Sequence, residues 1–166
     1  MKKILETPRL YLRSLIPEDL DSVAKMFADI DVMRYVGTGI VLSKDAAKKS
    51  IAKWNQYEEK FGFANWAVVR KEDDMMIGEC GFNWLPDNSD IEISYMFDKP
   101  FWGKGYATEA ASETLKYGAN SLCLRRIAAM VYPGNTASIK ILEKIGMKYV
   151  KNVEFWEKTL RFYLFQ

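Results

Sequence analysis

Near the middle of this 166-residue chain, an alternating apolar strand pattern runs directly into a glycine-containing loop and then into an alanine-rich helix pattern. The strand pattern covers Ile91 to Phe97, the loop contains Gly103-Lys104-Gly105, and the helix pattern continues to about Leu122. A helix that begins after such a loop directs its first backbone N–H groups, which have no intrahelical partners, at one point. The glycines allow positive φ angles and close approach of a phosphate. We therefore predict an anion-binding loop, to which Lys104 adds a positive charge.

Three interpretations of this loop compete. An ordinary strand-to-helix turn would use glycine only for its geometry. A nucleotide site fits poorly, because the pattern G-x-x-x-x-G-K-[ST] is absent and a dinucleotide fingerprint needs a third glycine where this chain has Thr108. The third interpretation is a coenzyme A pyrophosphate loop with the pattern [QR]-x-x-G-x-[GA]. The segment from Trp102 to Ala107 matches that pattern except at its first position, where tryptophan replaces Gln or Arg.

Two further segments extend this likeness. The segment Asn135–Met147 is similar to the element N-x-x-S-x-x-x-x-E-K-x-G-[FM], and Thr7–Arg13 looks like a first strand of the same family. The three motifs occur in the family's order across nearly the whole chain. The chain therefore resembles the Gcn5-related N-acetyltransferase (GNAT) superfamily, in the branch of ribosomal-protein N-terminal (alanine/serine) acetyltransferases.

Composition limits the other function classes. Residues 1–166 fit a single domain that is 49% hydrophobic and 28% charged, and a net charge of +2 gives no broad electrostatic surface for nucleic acid. No histidine is present, which argues against a zinc enzyme or a Ser-His-Asp hydrolase. The two cysteines, Cys80 and Cys123, are expected to be reduced and buried. Without a signal segment or membrane span in the sequence, we expect a cytoplasmic protein that binds no membrane.

Hydrophobic periodicity predicts alternating strands and helices along the whole chain. Strand patterns cover Leu10–Leu15, Phe63–Val69, Met75–Phe82, Ile91–Phe97, Arg126–Tyr132, Val150–Phe155 and Thr159–Phe165, and helix patterns cover Pro17 to about Ile30, Ser43 to about Lys60, about Gly105 to Leu122, and the segment after Asn135. The resemblance implies the acyl-CoA N-acyltransferase fold. This is an α+β fold with a mixed, mostly antiparallel sheet of six to seven strands, helices on both faces, and a slot where the fourth and fifth strands part.

The resemblance also implies how acetyl-CoA, with no metal, would be held. Backbone groups of three consecutive β-strand residues would hold the pantetheine arm and the thioester carbonyl, namely Tyr95, Met96 and Phe97. The loop and the first helical turn would bind the pyrophosphate through Gly103, Lys104, Gly105, Tyr106, Ala107 and Thr108. Asn135 matches an asparagine that contacts the cofactor arm, although an asparagine before a helix is equally a good N-cap.

Two residues are candidates for the chemistry. Ser138 lies one helical turn after Asn135, where its hydroxyl could donate a proton to the departing CoA thiolate. Many members of the family that the chain resembles place a tyrosine for this role where this chain has Leu142, which favours Ser138, although a serine in a first helical turn can equally have no chemical role. Glu92 is the candidate general base, since it shares a strand face with the small Ser94 and partial desolvation would raise its pKa. An exposed strand glutamate is the alternative, and Glu79, Glu157 or a water relay are other possible bases.

We therefore expect an N-acetyltransferase that transfers an acetyl group from acetyl-CoA to a primary amine by direct attack in a ternary complex. The alternative is a non-catalytic acyl-CoA-binding sensor module. The acceptor is either a small-molecule amine or a protein N-terminus, and a homodimer is plausible. The acidic residues Asp87, Asp90 and Glu92 are compatible with a cationic acceptor. The aromatic side chains Tyr35, Trp54 and Tyr57 either contact substrate or pack in the core.

Overall fold

A single eight-stranded sheet organises residues 3–166, the part of the chain that this computed structural model describes. In chain order the strands are β1 (Lys3–Glu6), β2 (Leu10–Arg13), β3 (Asn65–Arg70), β4 (Met75–Trp84), β5 (Ile91–Phe97), β6 (Ile127–Val131), β7 (Lys148–Phe155) and β8 (Lys158–Phe165). They lie side by side in the order β1-β2-β3-β4-β5-β6-β8-β7. Only the β5–β6 pair among these is parallel.

The predicted α+β class is confirmed, but the sheet has eight strands rather than six to seven. The additional strand is β1, which pairs antiparallel with β2 at one edge of the sheet. Its four residues are exposed or half-buried, so they lack the clear alternation that marks a half-buried strand in the sequence.

Five α-helices accompany the strands in the described residues. They are α1 (Leu20–Ala28), α2 (Ile30–Met33), α3 (Lys44–Phe61), α4 (Tyr106–Asn120) and α5 (Thr136–Lys144). The helix predicted to continue to about Ile30 is interrupted at Asp29, whose backbone is extended and whose carboxylate caps α2 by accepting from the Asp31 N–H at 2.8 Å. Ser43 caps α3 as predicted, because its Oγ accepts from the Ala46 N–H at 3.1 Å.

Two apolar cores lie on opposite faces of the sheet. One core joins the sheet to α4 and α5 and contains fully buried Trp66, Phe82 and Tyr163. The other joins the sheet to α1, α2 and α3. Side chains along β5 alternate between these two cores: Ile93 belongs to the first core, and Met96 packs against the second.

The parallel strands β5 and β6 part from one another, as the resemblance implied. Their only registered pair is Glu92 with Ala128, although β5 continues to Phe97 and β6 to Val131. Toward their carboxyl ends the sheet is therefore open along one seam. No helix within residues 3–166 has the length and apolarity needed to cross a bilayer.

Candidate active site

A cavity of about 530 Å³ occupies the seam between β5 and β6 and is lined from both faces of the sheet. Of the residues predicted for the site, those lining it are Glu92, Tyr95, Met96, Phe97, Gly103, Ala107, Asn135 and Ser138. The fold therefore brings both catalytic candidates into one cavity. The other predicted residues, Lys104, Gly105, Tyr106 and Thr108, belong to the loop and first helical turn beside it.

The loop before α4 has the backbone conformation that its glycines predict. Gly103 has φ 72° and Gly105 has φ 81°, both in the left-handed region. Among residues 3–166, no protein acceptor pairs with the backbone N–H groups from Gly103 to Thr108, and the next N–H, that of Glu109, donates to the Gly105 carbonyl at 3.0 Å. Consecutive N–H donors at a helix N-terminus form an anion site.

The segment before β2 braces this loop, which the sequence reasoning missed. The Arg9 guanidinium donates to a Glu109 carboxylate oxygen at 2.6 Å and to the Lys104 carbonyl at 3.0 Å. It also lies over the Tyr106 ring, 4.4 Å from the centroid. The available signal was the Thr-Pro-Arg motif together with a glutamate in the first turn of α4.

Trp102, which occupies the position where Gln or Arg was expected, ties the loop to β5. Its indole N–H donates to the Phe97 carbonyl at 2.8 Å. The tryptophan therefore fixes the start of the loop with its side chain, in addition to the contacts that Arg9 makes farther along.

Backbone groups of β5 point alternately to β4 and into the seam. The Asp98 N–H donates to the Ile77 carbonyl at 2.9 Å, so every second residue before Asp98 along β5 also directs its N–H and C=O groups at β4. The N–H and C=O groups of Tyr95 and Phe97 consequently face the seam. Met96 faces β4 with its backbone and lines the cavity with its side chain.

On the α5 side, the cavity contains a hydroxyl pair. Ser138 Oγ lies 2.8 Å from the Tyr95 hydroxyl, and burial raises the pKa of that phenol, which keeps it protonated. Asn135 acts as the N-cap of α5, because its side-chain oxygen accepts from the Ser138 N–H at 3.3 Å. Leu142, at the position where many relatives carry tyrosine, is buried and lines the cavity.

On the opposite face, half-buried Glu92 lies in a polar cluster. The Asn83 amide donates to its Oε1 at 2.8 Å. Loss of solvent raises the pKa of the Glu92 carboxyl to about 7, against the opposing effects of the Asn83 amide and the Met130 backbone N–H. Ser94 Oγ lies 2.8 Å from the side-chain oxygen of Asn65 and 3.0 Å from that of Asn83. The two asparagines were not found by sequence reasoning, since they lie on two other strands.

The alternative bases lie outside the cavity. Glu79 is only 4% exposed and its Oε1 has no hydrogen-bond partner within the described residues. Burial, together with the nearby Asp19 charge, raises the pKa of its carboxyl to about 7. Glu157 is exposed at the β7–β8 turn.

The three acidic residues that were compatible with a cationic acceptor do not lie together. Asp87 and Asp90 line a separate cavity of about 230 Å³, where Asp90 pairs with Arg126 at 2.7 Å, and only Glu92 lines the main cavity. Of the three aromatic candidates, Tyr35 lines the main cavity. Trp54 and Tyr57 do not, and their rings contact each other in an edge arrangement, 5.4 Å between centroids.

Cysteine and metal chemistry can be assessed for the described residues. Cys80 is buried, and its thiol donates a hydrogen bond to the Thr114 hydroxyl. Burial raises the pKa of this thiol to about 12. Cys123 is exposed, which corrects the expectation of two buried thiols, and neither cysteine lines the main cavity. Within residues 3–166 no three side chains of the His, Cys, Asp and Glu types form a group that could hold a metal ion.

Comparison with known proteins agrees with this geometry. The model of the Acetyltransferase (GNAT) domain matches residues 9–148. An uncharacterised N-acetyltransferase of Bacillus licheniformis, p20, is 34% identical over 156 residues, which cover 93% of this chain and 88% of p20.

Solved structures share the fold over nearly the full length. A GNAT-family acetyltransferase from Bacillus anthracis superposes with a TM-score of 0.84 at 27% identity, with 96% of each chain covered. A ribosomal-protein alpha-N-acetyltransferase, RimL, solved in complex with coenzyme A, superposes with a TM-score of 0.82 at 16% identity, covering 98% of this chain and 97% of RimL. The family match, the fold and the open seam agree, and the chain belongs to the GNAT acetyltransferase family.

Proposed function

We propose that this enzyme transfers the acetyl group of acetyl-CoA to a primary amine by direct attack in a ternary complex. One observation carries the proposal: a single cavity passes through the seam between β5 and β6, with Ser138 on one face and Glu92 on the other, beside a loop whose backbone N–H groups have no acceptor within residues 3–166. The acetyl donor and the acceptor amine can therefore approach one point from opposite faces of the sheet.

The loop is the proposed site of the CoA diphosphate. The N–H groups from Gly103 to Thr108 can donate to its oxygens, and Lys104 adds charge. From there the pantetheine arm would follow the seam, which the backbone groups of Tyr95 and the N–H of Phe97 face, and pass the Asn135 side chain at the start of α5. RimL, which has the same fold, was solved in complex with coenzyme A, and this supports CoA as the carrier of the acetyl group.

The chemistry follows from the two faces. Glu92, with its pKa near 7, is the base that takes the proton from the attacking amine, directly or through water. As the new N–C bond forms, backbone N–H groups in the seam stabilise charge on the carbonyl oxygen. The C–S bond then breaks as Ser138 donates its proton to the departing sulfur and takes one from the Tyr95 hydroxyl. Solvent water returns a proton to Tyr95 and accepts the amine proton from Glu92 before the next turnover.

Direct attack is favoured over an acyl-enzyme because no thiol is in place. The thiol of Cys80 is buried and held protonated, and Cys123 lies outside the cavity. A covalent route needs an activated nucleophile beside the donor.

The test is amine-dependent release of the CoA thiol from acetyl-CoA across a panel of small amines and peptide N-termini. We expect acetyl transfer to at least one of them, and no acetyl label retained on the protein when radiolabelled acetyl-CoA is supplied without amine. A labelled acyl-protein would contradict the ternary complex. Tight CoA binding with no transfer to any acceptor would instead indicate an acyl-CoA-binding sensor module.

A further inference from the structure

The turn between β7 and β8 places two large side chains in an unfavourable backbone conformation. Phe155 pairs with Lys158, so that the turn consists of only Trp156 and Glu157. Their φ angles are 53° and 59°, both in the left-handed region. Two-residue turns of this kind strongly favour Asn-Gly, because residues with a Cβ are strained there. Turn geometry therefore does not account for a tryptophan at this position.

The position of its side chain accounts for Trp156. The indole lines the main cavity and is 40% exposed, whereas the exposed Glu157 side chain does not reach the cavity. Strained residues persist where the surrounding structure uses them, and they concentrate at binding sites.

Two of the other aromatic residues that line the same cavity lie close together. Tyr35 and Tyr132 have ring centroids 6.0 Å apart, and the Tyr132 hydroxyl donates to the Gly37 carbonyl. Ala128 pairs with Glu92 across the seam, so the two side chains lie on the same face of the sheet. Tyr132, just after β6, is four residues beyond Ala128 and therefore also lies on that face, because side chains alternate along a strand. We call Tyr35, Tyr132 and Trp156 the aromatic rim.

Charges at the rim do not suit a polycation. The Asp31 carboxylate, which lines the cavity, is shared between Arg34 and Lys99. Glu92 is then the one carboxylate lining the cavity without an ion-pair partner among the described residues. A single amine can approach Glu92, while a second cationic group would meet Arg34 and Lys99, which also line the cavity.

We propose that the aromatic rim is an acceptor subsite for an aromatic group carried next to the reactive amine. This inference rests on the proposed acetyl transfer and names the acceptor class for it. Both an arylalkylamine and a peptide with an aromatic first residue present this chemistry. The tryptophan and tyrosine faces pack on the aromatic group, and the amine reaches Glu92.

The test compares acceptors at saturating acetyl-CoA: phenethylamine, propylamine, putrescine, and tripeptides beginning with Phe or Ala. We expect kcat/KM for phenethylamine or for the Phe tripeptide to exceed that of its aliphatic counterpart by about 10-fold or more, with putrescine poorest. Whether phenethylamine or the Phe tripeptide has the higher kcat/KM then shows whether the acceptor is a small amine or a peptide. Equal or better use of propylamine, the Ala tripeptide and putrescine would overturn the proposal.

The matched variants are Trp156→Gly and Glu157→Gly. Each relieves one left-handed position, so both should fold with unfolding temperatures at or above that of the wild type. We expect Trp156→Gly to lose the aromatic preference and Glu157→Gly to keep it. Preference retained by Trp156→Gly would refute the subsite.

A binding measurement separates this proposal from the reaction itself. Phenethylamine is titrated calorimetrically into the CoA-loaded protein, where no transfer can occur. Binding that is lost in Trp156→Gly supports the subsite even if no amine is acetylated, and absence of binding at millimolar phenethylamine contradicts it.

Discussion

The hydroxyl of Tyr95 on β5 lies 2.8 Å from the Oγ of Ser138 in the first turn of α5. Many relatives supply a phenol from the α5 position that is Leu142 here, and this chain instead places a phenol from the neighbouring strand against the serine. The absence of a tyrosine at residue 142 therefore does not remove a hydroxyl from the cavity.

Loss of either hydroxyl should slow the departure of CoA. We expect Ser138→Ala and Tyr95→Phe each to lower kcat by about 100-fold, which is the lower end of the range for general acid–base catalysis. The dissociation constant for CoA should stay within about twofold of the wild type, because neither change touches the diphosphate loop. Tyr149→Phe is the control, since this residue is exposed and its hydroxyl hydrogen-bonds to Asn152, outside the cavity. Unchanged kcat in both variants would remove the pair from the mechanism.

The pH dependence of kcat/KM should report Glu92. Its carboxyl is active as a base only when ionised, so activity should rise with pH around the pKa of about 7 and then level off. Glu92→Gln should abolish most of the activity. Asn83→Ala removes a hydrogen bond that favours the ionised form, so the midpoint should move to higher pH. Ionisation of the acceptor amine affects all three proteins equally, so it cannot produce a difference between their pH profiles. Identical midpoints in the wild type and Asn83→Ala would argue against Glu92 as the base.

Glu79 should make stability depend on pH. Burial raises the pKa of its carboxyl from 4.5 to about 7, so folding favours the protonated form. The stability linked to that form is complete below pH 4.5 and is lost as pH rises to 7. Between pH 4.5 and 7 the free energy of unfolding of the wild type should fall by about 3 kcal/mol relative to that of Glu79→Gln, and above pH 7 the difference between the two proteins should stay constant. Urea unfolding at several pH values measures this, with the exposed Glu59→Gln as control, and parallel profiles for wild type and Glu79→Gln would show that the carboxyl is not buried as described.

Arg9 and Glu109 should act together on the loop. Arg9→Ala removes the contacts to Glu109, to the Lys104 carbonyl and to the Tyr106 ring. We expect CoA affinity to fall by about 5- to 10-fold, with kcat at saturating donor nearly unchanged. A double-mutant cycle with Glu109→Gln should show a combined effect smaller than the sum of the two. Strict additivity would indicate that the pair does not brace the loop as a unit.

Periodicity and turn chemistry were sufficient to predict most of the fold. The β5 bounds, the Ser43 cap and the positive φ angles at Gly103 and Gly105 follow from local residue types. The β1 strand and the break at Asp29 were missed, because one is a short edge strand and the other interrupts a continuous apolar stripe. Local patterns give no warning of either.

The candidate site was predictable only where one segment carries it. The loop from Gly103 to Thr108 is contiguous, so its conformation could be anticipated. Asn83, which bonds Glu92, and Arg9, which braces Lys104, lie far away in the sequence, and only sheet pairing brings them to their partners. Sequence proximity alone also could not show that Asp90 pairs with Arg126 and lines a different cavity from Glu92.

The central claim is that unpaired N–H groups at the start of α4 bind the diphosphate of CoA, and calorimetric titration of CoA against pantetheine tests it most directly. Gly103→Ala is compared with Gly62→Ala at the end of α3, because both glycines have similar positive φ and open space around them. Each substitution should cost about 1–2 kcal/mol of stability. We predict that the wild type and Gly62→Ala bind CoA at least about 100-fold more tightly than pantetheine, through charge-assisted hydrogen bonds, and that Gly103→Ala loses most of this difference. Equal affinity of the wild type for CoA and pantetheine, or equal CoA affinity in the two glycine variants, would contradict the account.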